Sequence, residues 1–446
     1  MICKRTLPNG LRIIGEKLEN YRSVSIGCWV GAGSIYETAA LPGGETLEAG
    51  TECGISHFIE HMLFKGTKKH SAEELAELMD LLGGNMNAFT SKDCTCFYAK
   101  VTEDSLIEAL ELIAELVCTS KLDEADIERE KGVVLEEISM NNDSPEDVAH
   151  EALCSLYYGS DPLAYPVLGS EKSVGAFTRG MIRSYMARRY RPENIVIAAA
   201  GNFDFDKLAE AVAGAFDLAA IAKGAKSAKN TKTAEESSPA PRAGGMSAEG
   251  ERVKLIEKDT EQTHIALAFP GFAYGAKECY PLLVLNNIIG GSMSSRLFQS
   301  IRERSGMAYS VYSSPSFFKS SGYFTVYAGT GEKQAVKVLE MMLGECEKLL
   351  KNGVSASEIE RSRRQIRTGY ILGRENSSSH ASSLGRKELL GLEHRTDDEV
   401  LALIDGVSAD DVHALLPIVC SAGAMKAAIV GRLGASAEAL RSLIER

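Results

Sequence analysis

Apolar and polar positions along this chain recur with the periods of strands and helices in turn. An almost unbroken apolar run at Ser23–Val30 predicts a buried strand, and Asn87–Val101 predicts a further strand. Apolar residues at helical spacing predict a long helix at Ser105–Cys118 and another that begins after a cap at Asp123. The first residues predict a strand that ends in the turn Pro8-Asn9-Gly10.

A similar order of patterns returns in the second part of the chain. The elements predicted there are a strand at His264–Phe269, an apolar helix at Tyr280–Ile289, strands at Ala308–Ser313 and Gly322–Gly329, and helices at Lys333–Leu350 and from Ser357 onward. The segment Asp126-Ile127-Glu128-Arg129 is echoed 232 residues later by Glu358-Ile359-Glu360-Arg361. We interpret the repeated order as an internal duplication.

Composition separates the two parts. Residues 223–250 are rich in Ala, Lys, Ser, Gly and Pro, which predicts a flexible linker. The predicted domains are therefore 1–222 and 251–446, since 446 residues are more than one typical core needs. Strands mixed with long helices predict an α+β fold of two related halves, each with a mixed or antiparallel sheet packed against helices.

Charge and cysteine usage narrow the function classes. The net charge of −12 argues against nucleic acid as a partner. No apolar run approaches the roughly 18 residues that cross a bilayer, and the first residues lack an apolar signal-peptide core, so no membrane association is predicted. Ten scattered cysteines, of which only Cys94 and Cys96 are close neighbours, predict reduced thiols and a cytoplasmic location. That pair is more typical of buried small residues than of a metal site.

The candidate chemistry lies in His57-Phe58-Ile59-Glu60-His61. On a helix, positions i, i+3 and i+4 share one face, so two imidazoles and a carboxylate lie together. Two neutral imidazoles four residues apart can bind one Zn²⁺, with Glu60 beside the remaining coordination positions. This order, with the glutamate next to the second histidine, is associated with the inverzincin peptidases. A chance match on an amphipathic helix is the alternative, and eight histidines in 446 residues make it uncommon.

A third protein ligand is expected in the helix that follows Asp123. Glu130 and Glu137 are seven residues apart and share a helix face, whereas Glu136 points about 100° away. Most glutamates on helices are solvated, so each is weak evidence when taken alone. Spacing does not choose between Glu136 and Glu137.

Three segments together resemble the M16 (pitrilysin-like) metallopeptidases, most closely the short bacterial proteases similar to the β subunit of the mitochondrial processing peptidase. The segments are Gly54–Thr67, Asn87–Thr90 and Glu130–Ile138. The resemblance implies one Zn²⁺ per chain, and it implies these residue roles: His57, His61 and Glu137 as ligands, Glu60 as general base, and Glu130 as a supporting residue that does not ligate.

The resemblance also implies where a peptide binds. The strand Asn87, Ala88, Phe89, Thr90 looks like the edge strand that receives substrate in the family. The segment from Ser294 to Tyr309 is similar to the C-terminal substrate-binding segment, which implies peptide contacts for Arg302 and Tyr309. In the family, two α+β halves close like a clamshell with zinc in the first. The second half of this chain has no HxxEH, and Gly369 stands 232 residues after Glu137.

The predicted function is that of a zinc-dependent endopeptidase that cleaves short or unfolded peptides held as an added edge strand. The alternative is a non-catalytic peptide-binding or scaffold subunit of a larger complex. A homodimer is predicted, with a required partner subunit as the other possibility. The loop at 38–53 and the basic linker at 223–250 are longer than is usual in the family, and neither contains a predicted ligand.

Overall fold

The computed structural model of the chain describes residues 2–37, 50–216 and 251–445. The predicted linker at 223–250 and most of the loop at 38–53 lie outside these ranges. The described residues form two compact units, each with a sheet and helices packed on it, which confirms the predicted α+β fold. Within the same ranges, no helix is both long enough and apolar enough to span a bilayer.

The strands are β1 (Ile2–Thr6), β2 (Arg12–Lys17), β3 (Ser23–Val30), β4 (Asn85–Thr90), β5 (Thr95–Thr102), β6 (Ile195–Gly201), β7 (Val253–Glu257), β8 (Gln262–Pro270), β9 (Ala308–Phe317), β10 (Gly322–Gly331) and β11 (Lys426–Gly431). The helices are α1 (Ile55–Leu63), α2 (Ala72–Leu81), α3 (Leu106–Thr119), α4 (Glu124–Asp143), α5 (Pro145–Tyr158), α6 (Glu171–Ala176), α7 (Arg179–Arg189), α8 (Phe205–Ala215), α9 (Cys279–Ile289), α10 (Ala335–Asn352), α11 (Ala356–Gly373), α12 (Ser377–Leu390), α13 (Asp397–Asp405), α14 (Ala409–Val419) and α15 (Ala437–Glu445).

The two sheets repeat one topology. The first has the order β1-β2-β6-β3-β5-β4 and the second the order β7-β11-β8-β10-β9. The pairs β2/β6 and β7/β11 are parallel. The other corresponding pairs are antiparallel: β6/β3 and β11/β8, β3/β5 and β8/β10, and β5/β4 and β10/β9. Strands β2 to β6 therefore correspond in chain order to β7 to β11. This equivalence agrees with the duplication that we inferred from the sequence.

One predicted strand is a hairpin. The sequence pattern predicts a single strand over Asn87–Val101, but the structure has β4 and β5, which pair antiparallel across a turn at residues 91–94. The Ser91 amide donates to the Cys94 carbonyl at 2.8 Å and closes this turn. The prediction was wrong here because polar turn residues fit the same alternation as the strands on either side.

Each unit takes one helix from the other part of the chain. Of the described residues, the first unit holds those up to Ile138, those from Tyr165 to Phe216 and those from Leu372 to His394; the rest form the second unit. Each unit therefore contains residues from both sides of the predicted linker at 223–250. Helix α12 packs on β3 and β6, and α5 packs on β8 and β11. Their first residues, Ser377 and Pro145, are 232 positions apart, as in the sequence echo.

Helix α12 covers a sheet face that is apolar. Trp29 lies on this face and packs with Leu384 of α12 and with Cys96, and all three are buried. The opposite face of the same sheet forms a larger core with α1 and α3. A sheet that is apolar on both faces needs cover on both sides, and α12 supplies the second layer.

We predict that Gly385→Ala destabilises the first unit. A Cβ at Gly385 would lie 2.1 Å from Trp29 Nε1, so the indole must move; overpacking of this kind costs about 1–3 kcal/mol. Trp29 is the single tryptophan of the chain, so its fluorescence reports urea unfolding of this layer directly. The matched control is Gly214→Ala in α8 of the same unit, where nothing lies within 4 Å and helix propensity favours alanine. Equal urea midpoints for the Gly385 variant and the native chain would contradict the packing described here.

Candidate metal centre

Helix α1 begins at a position that only glycine suits. Gly54 has φ of +86°, and a Cβ there would lie 2.6 Å from Gly169 Cα and from the Leu168 carbonyl. The buried carboxylate of Glu37 then accepts hydrogen bonds from the amides of Gly54 at 2.7 Å and Ser56 at 3.0 Å. These amides are donors that a helix cannot satisfy internally. Glu37 therefore fixes the start of α1.

Two further contacts hold this end of α1 against α7. The Ser56 hydroxyl lies 2.7 Å from the Tyr185 hydroxyl. Just before the helix, Glu52 forms an ion pair with Arg188, and the Glu52 side chain is 2% exposed. Because His57 follows Ser56 directly, these contacts also set the direction in which the first imidazole points.

The predicted ligands meet at one point. His57 and His61 on α1 have ring centroids 4.6 Å apart. The Glu137 carboxylate of α4 lies 3.7 Å from His57 Nε2 and 3.5 Å from His61 Nε2. Of the residues that the structure describes, these three form the single group of three or more His, Cys, Asp or Glu whose ligand atoms converge. Glu136 is exposed.

The donor set fits zinc. In a tetrahedral site with bonds of about 2.0–2.1 Å, ligand atoms lie about 3.4 Å apart. The separations of 3.5 and 3.7 Å are close to that edge length. Two imidazole nitrogens and one carboxylate oxygen are also a ligand set found in catalytic zinc sites, where the fourth position takes water or substrate.

The electrostatics of the imidazoles suit a cation. Burial, assisted by the neighbouring His61, lowers the pKa of His57 to about 4, so its imidazole is neutral near pH 7. His61 Nδ1 donates to Glu130 Oε1 at 2.8 Å, which leaves the Nε2 lone pair directed at the site. The other Glu130 oxygen lies 2.8 Å from Lys65 Nζ.

Glu60 lies beside the ligands and is held from the edge strand. The Thr90 hydroxyl of β4 donates to Glu60 Oε2 at 2.5 Å. Burial raises the pKa of Glu60, and the Thr90 hydrogen bond and His61 oppose that shift. A carboxylate that is half-buried and oriented by one hydrogen bond has the features of a general base.

The residues predicted to contact substrate fall into two groups, one in each unit. In the part of the chain described, β4 pairs with β5 alone, so Asn87, Ala88, Phe89 and Thr90 form one edge of the first sheet. In the second unit, Arg302 lies in the last turn of a short π-helix at Phe298–Glu303 and stacks on Tyr309, with its guanidinium carbon 4.9 Å from the ring centroid. Tyr309 is 77% exposed.

Three contributions to the site were not predicted from the sequence. Glu37, Lys65 and the role of Thr90 all depend on contacts between residues that are distant in the chain, and helical or strand periodicity does not report such contacts. The nearest signal was the position of Lys65, four residues after His61, which is the spacing of side chains that share a helix face.

The chain is similar to known proteins over most of its length. Residues 12–171 match the family model described as insulinase (peptidase family M16), and residues 176–366 match the one described as the peptidase M16 inactive domain. A protein named uncharacterized zinc protease YmxG, from Bacillus subtilis (strain 168), is 40% identical over 418 residues, which is 93% of this chain and 95% of the relative. The chain belongs to the M16 peptidase family.

Two further proteins are similar to this chain over most of their length. The uncharacterized zinc protease SCO5738 of Streptomyces coelicolor is 38% identical over 93% of this chain and 86% of its own length. A protease from Helicobacter pylori has the same fold, with a TM-score of 0.83 and 21% identity over 97% of this chain and 99% of that one. The converging ligands fall within residues 12–171, the part that matches the insulinase model.

Glu37 should make the stability of this M16 chain depend on pH. Burial raises the pKa of Glu37 from 4.5 to about 7. A raised pKa in the folded state stabilises the fold below about pH 4.5, and this contribution is lost as the pH rises through 7. The native chain should therefore lose urea stability between pH 5 and pH 8 relative to Glu37→Gln, measured in the presence of a chelator. Exposed Glu136→Gln is the control. Parallel pH curves for the native chain and Glu37→Gln would contradict the assignment.

Proposed function

We propose that the chain is a zinc-dependent endopeptidase that cleaves extended peptides. The observation that carries this proposal is the convergence of His57, His61 and Glu137 next to an oriented, half-buried Glu60. Membership of M16 and the relatives named zinc proteases support it. The proposal assigns one Zn²⁺ to each chain.

Each residue has a distinct task under this proposal. Bound Zn²⁺ supplies Lewis acidity, which lowers the pKa of water and polarises a scissile carbonyl. Glu60 accepts a proton from the attacking water and later delivers it to the leaving amine. The Thr90 hydroxyl keeps the Glu60 carboxylate facing the site during both transfers. Because its pKa is lowered to about 4, His57 is neutral near pH 7 and needs no proton loss to ligate.

The substrate is proposed to add to β4 as an extended strand. Main-chain hydrogen bonds to an edge strand hold a peptide largely independently of its sequence. Asn85, Asn87 and Phe89 are exposed along β4, while Thr90 is half-buried and bonded to the base. A peptide bound beside β4 would therefore lie next to Glu60. Peptide contacts for Arg302 and Tyr309 stay a prediction, as do the homodimer and the cytoplasmic location.

A scaffold subunit without activity is the second candidate. Its sequence signature would be a broken ligand set, and here the two histidines, Glu60 and Glu137 are all present with matching geometry. The geometry therefore favours catalysis.

We predict that Glu60→Gln keeps its zinc and loses hydrolysis of a quenched fluorescent, unstructured peptide. The loss should be on the order of 10²–10⁴-fold in kcat, because the amide cannot take the proton. Glu137→Ala should lose zinc, measured by elemental analysis after dialysis. Glu136→Ala, one residue earlier and exposed, is its matched control and should keep both zinc and activity. Activity in zinc-loaded Glu60→Gln equal to that of the native chain would contradict the proposed base.

Strand addition predicts a period of two along the substrate. In a β-pair, every second residue of a strand directs its amide toward the partner strand. Methylation of single backbone nitrogens should therefore lower kcat/KM by about tenfold at alternate positions of the peptide and leave the intervening positions near the parent value. A series of singly N-methylated peptides measures this. A loss that is uniform along the peptide would argue against β4 as the receiving strand.

A further inference from the structure

We infer that Lys65 is a positioning residue of the metal centre, which acts on zinc through Glu130 and His61. The inference rests on the proposed zinc site and adds a residue that is neither a ligand nor a base. It depends on the arrangement of one buried carboxylate and its two partners.

The Glu130 carboxylate is almost completely buried, with a side chain 4% exposed. Each of its oxygens has one partner: Oε1 accepts from His61 Nδ1 at 2.8 Å, and Oε2 lies 2.8 Å from Lys65 Nζ. The neighbouring cations on α4 are engaged elsewhere, since Arg129 pairs with Asp126 and Lys131 with Glu128. Lys65 thus supplies the positive charge in direct contact with Glu130.

The position of Lys65 explains how it reaches Glu130. It follows the end of α1 by two residues, and its amide still donates to the Met62 carbonyl at 3.2 Å. Lys65 and His61 are four residues apart, so their side chains leave α1 and its final turn on the same side. Both can therefore bind opposite oxygens of one carboxylate on α4.

Loss of Lys65 would leave a buried carboxylate with one oxygen unpaired. A buried charge that loses one partner is strongly destabilised, so the carboxylate must turn or draw in water. Either change disturbs the hydrogen bond that orients His61. His57 has no equivalent support, because its Nδ1 is buried without a hydrogen-bond partner among the residues described. The orientation of the imidazole pair thus depends strongly on the Lys65–Glu130–His61 chain of contacts.

The direction in which zinc affinity changes when Lys65 is removed distinguishes a positioning role from a purely electrostatic one. Removal of a cation near a Zn²⁺ site should tighten zinc binding if Coulomb repulsion were the whole effect. A positioning role requires that zinc binding become weaker. Loss of a group that orients a ligand typically lowers metal affinity about 10–100-fold.

The test measures the zinc dissociation constant of the full-length chain by competition with a chromogenic chelator at pH 7.5. We expect Lys65→Met to bind zinc about 10–100-fold more weakly than the native chain, and Lys65→Arg to bind more tightly than Lys65→Met. Exposed Lys68→Met is the matched control and should match the native chain. Urea midpoints of the zinc-free proteins check that each variant is folded.

A double-mutant cycle tests whether Lys65 acts on zinc affinity through Glu130. In a Glu130→Gln background, Lys65→Met should change zinc affinity little, because the carboxylate through which it acts is gone. An equal loss in both backgrounds, or affinity for Lys65→Met that is unchanged or tighter, would overturn the inference. Failure of the native chain itself to bind zinc would instead overturn the proposed function on which the inference rests.

Discussion

The hydrogen bond between Glu130 on α4 and His61 on α1 joins the two helices that carry the proposed zinc ligands. The helices are separated by some sixty residues of chain, so their side chains meet through packing and not through sequence proximity. Glu137 lies two turns after Glu130 on the same face of α4, so fixing Glu130 against α1 also brings Glu137 to His57 and His61. The contacts at both ends of α1 preserve this alignment, with Glu37 at its start and Lys65 just beyond its end.

Helical periodicity was sufficient to identify one face of each ligand helix. It placed His57, Glu60 and His61 together, and it put Glu130 and Glu137 on one face. It did not distinguish Glu136 from Glu137 as the ligand, because that choice depends on where α1 lies beside α4. In the structure Glu137 faces both Nε2 atoms and Glu136 is exposed, which supports Glu137 as the proposed ligand. Glu37 lies 17 residues before Gly54, and no local pattern marks a carboxylate that caps a distant helix.

Strands and helices were largely predictable because most have a clear apolar face. The exchange of α5 and α12 between the units was not. An amphipathic pattern shows that a helix must cover an apolar surface, but it does not show which of two similar sheets that surface belongs to. Because the two sheets have the same strand order, each has an equivalent face that either helix could cover. The proposed zinc site has no counterpart on α9, which follows β8 as α1 follows β3, because α9 contains no histidine or glutamate.

X-ray absorption spectroscopy of the zinc-loaded native chain tests the central claim most directly, because it reports the donor atoms around the metal. The account predicts two imidazole rings and oxygen donors at about 2.0–2.1 Å, with no sulfur. A sulfur donor at about 2.3 Å, or fewer than two imidazoles, would place zinc at other residues and contradict the account.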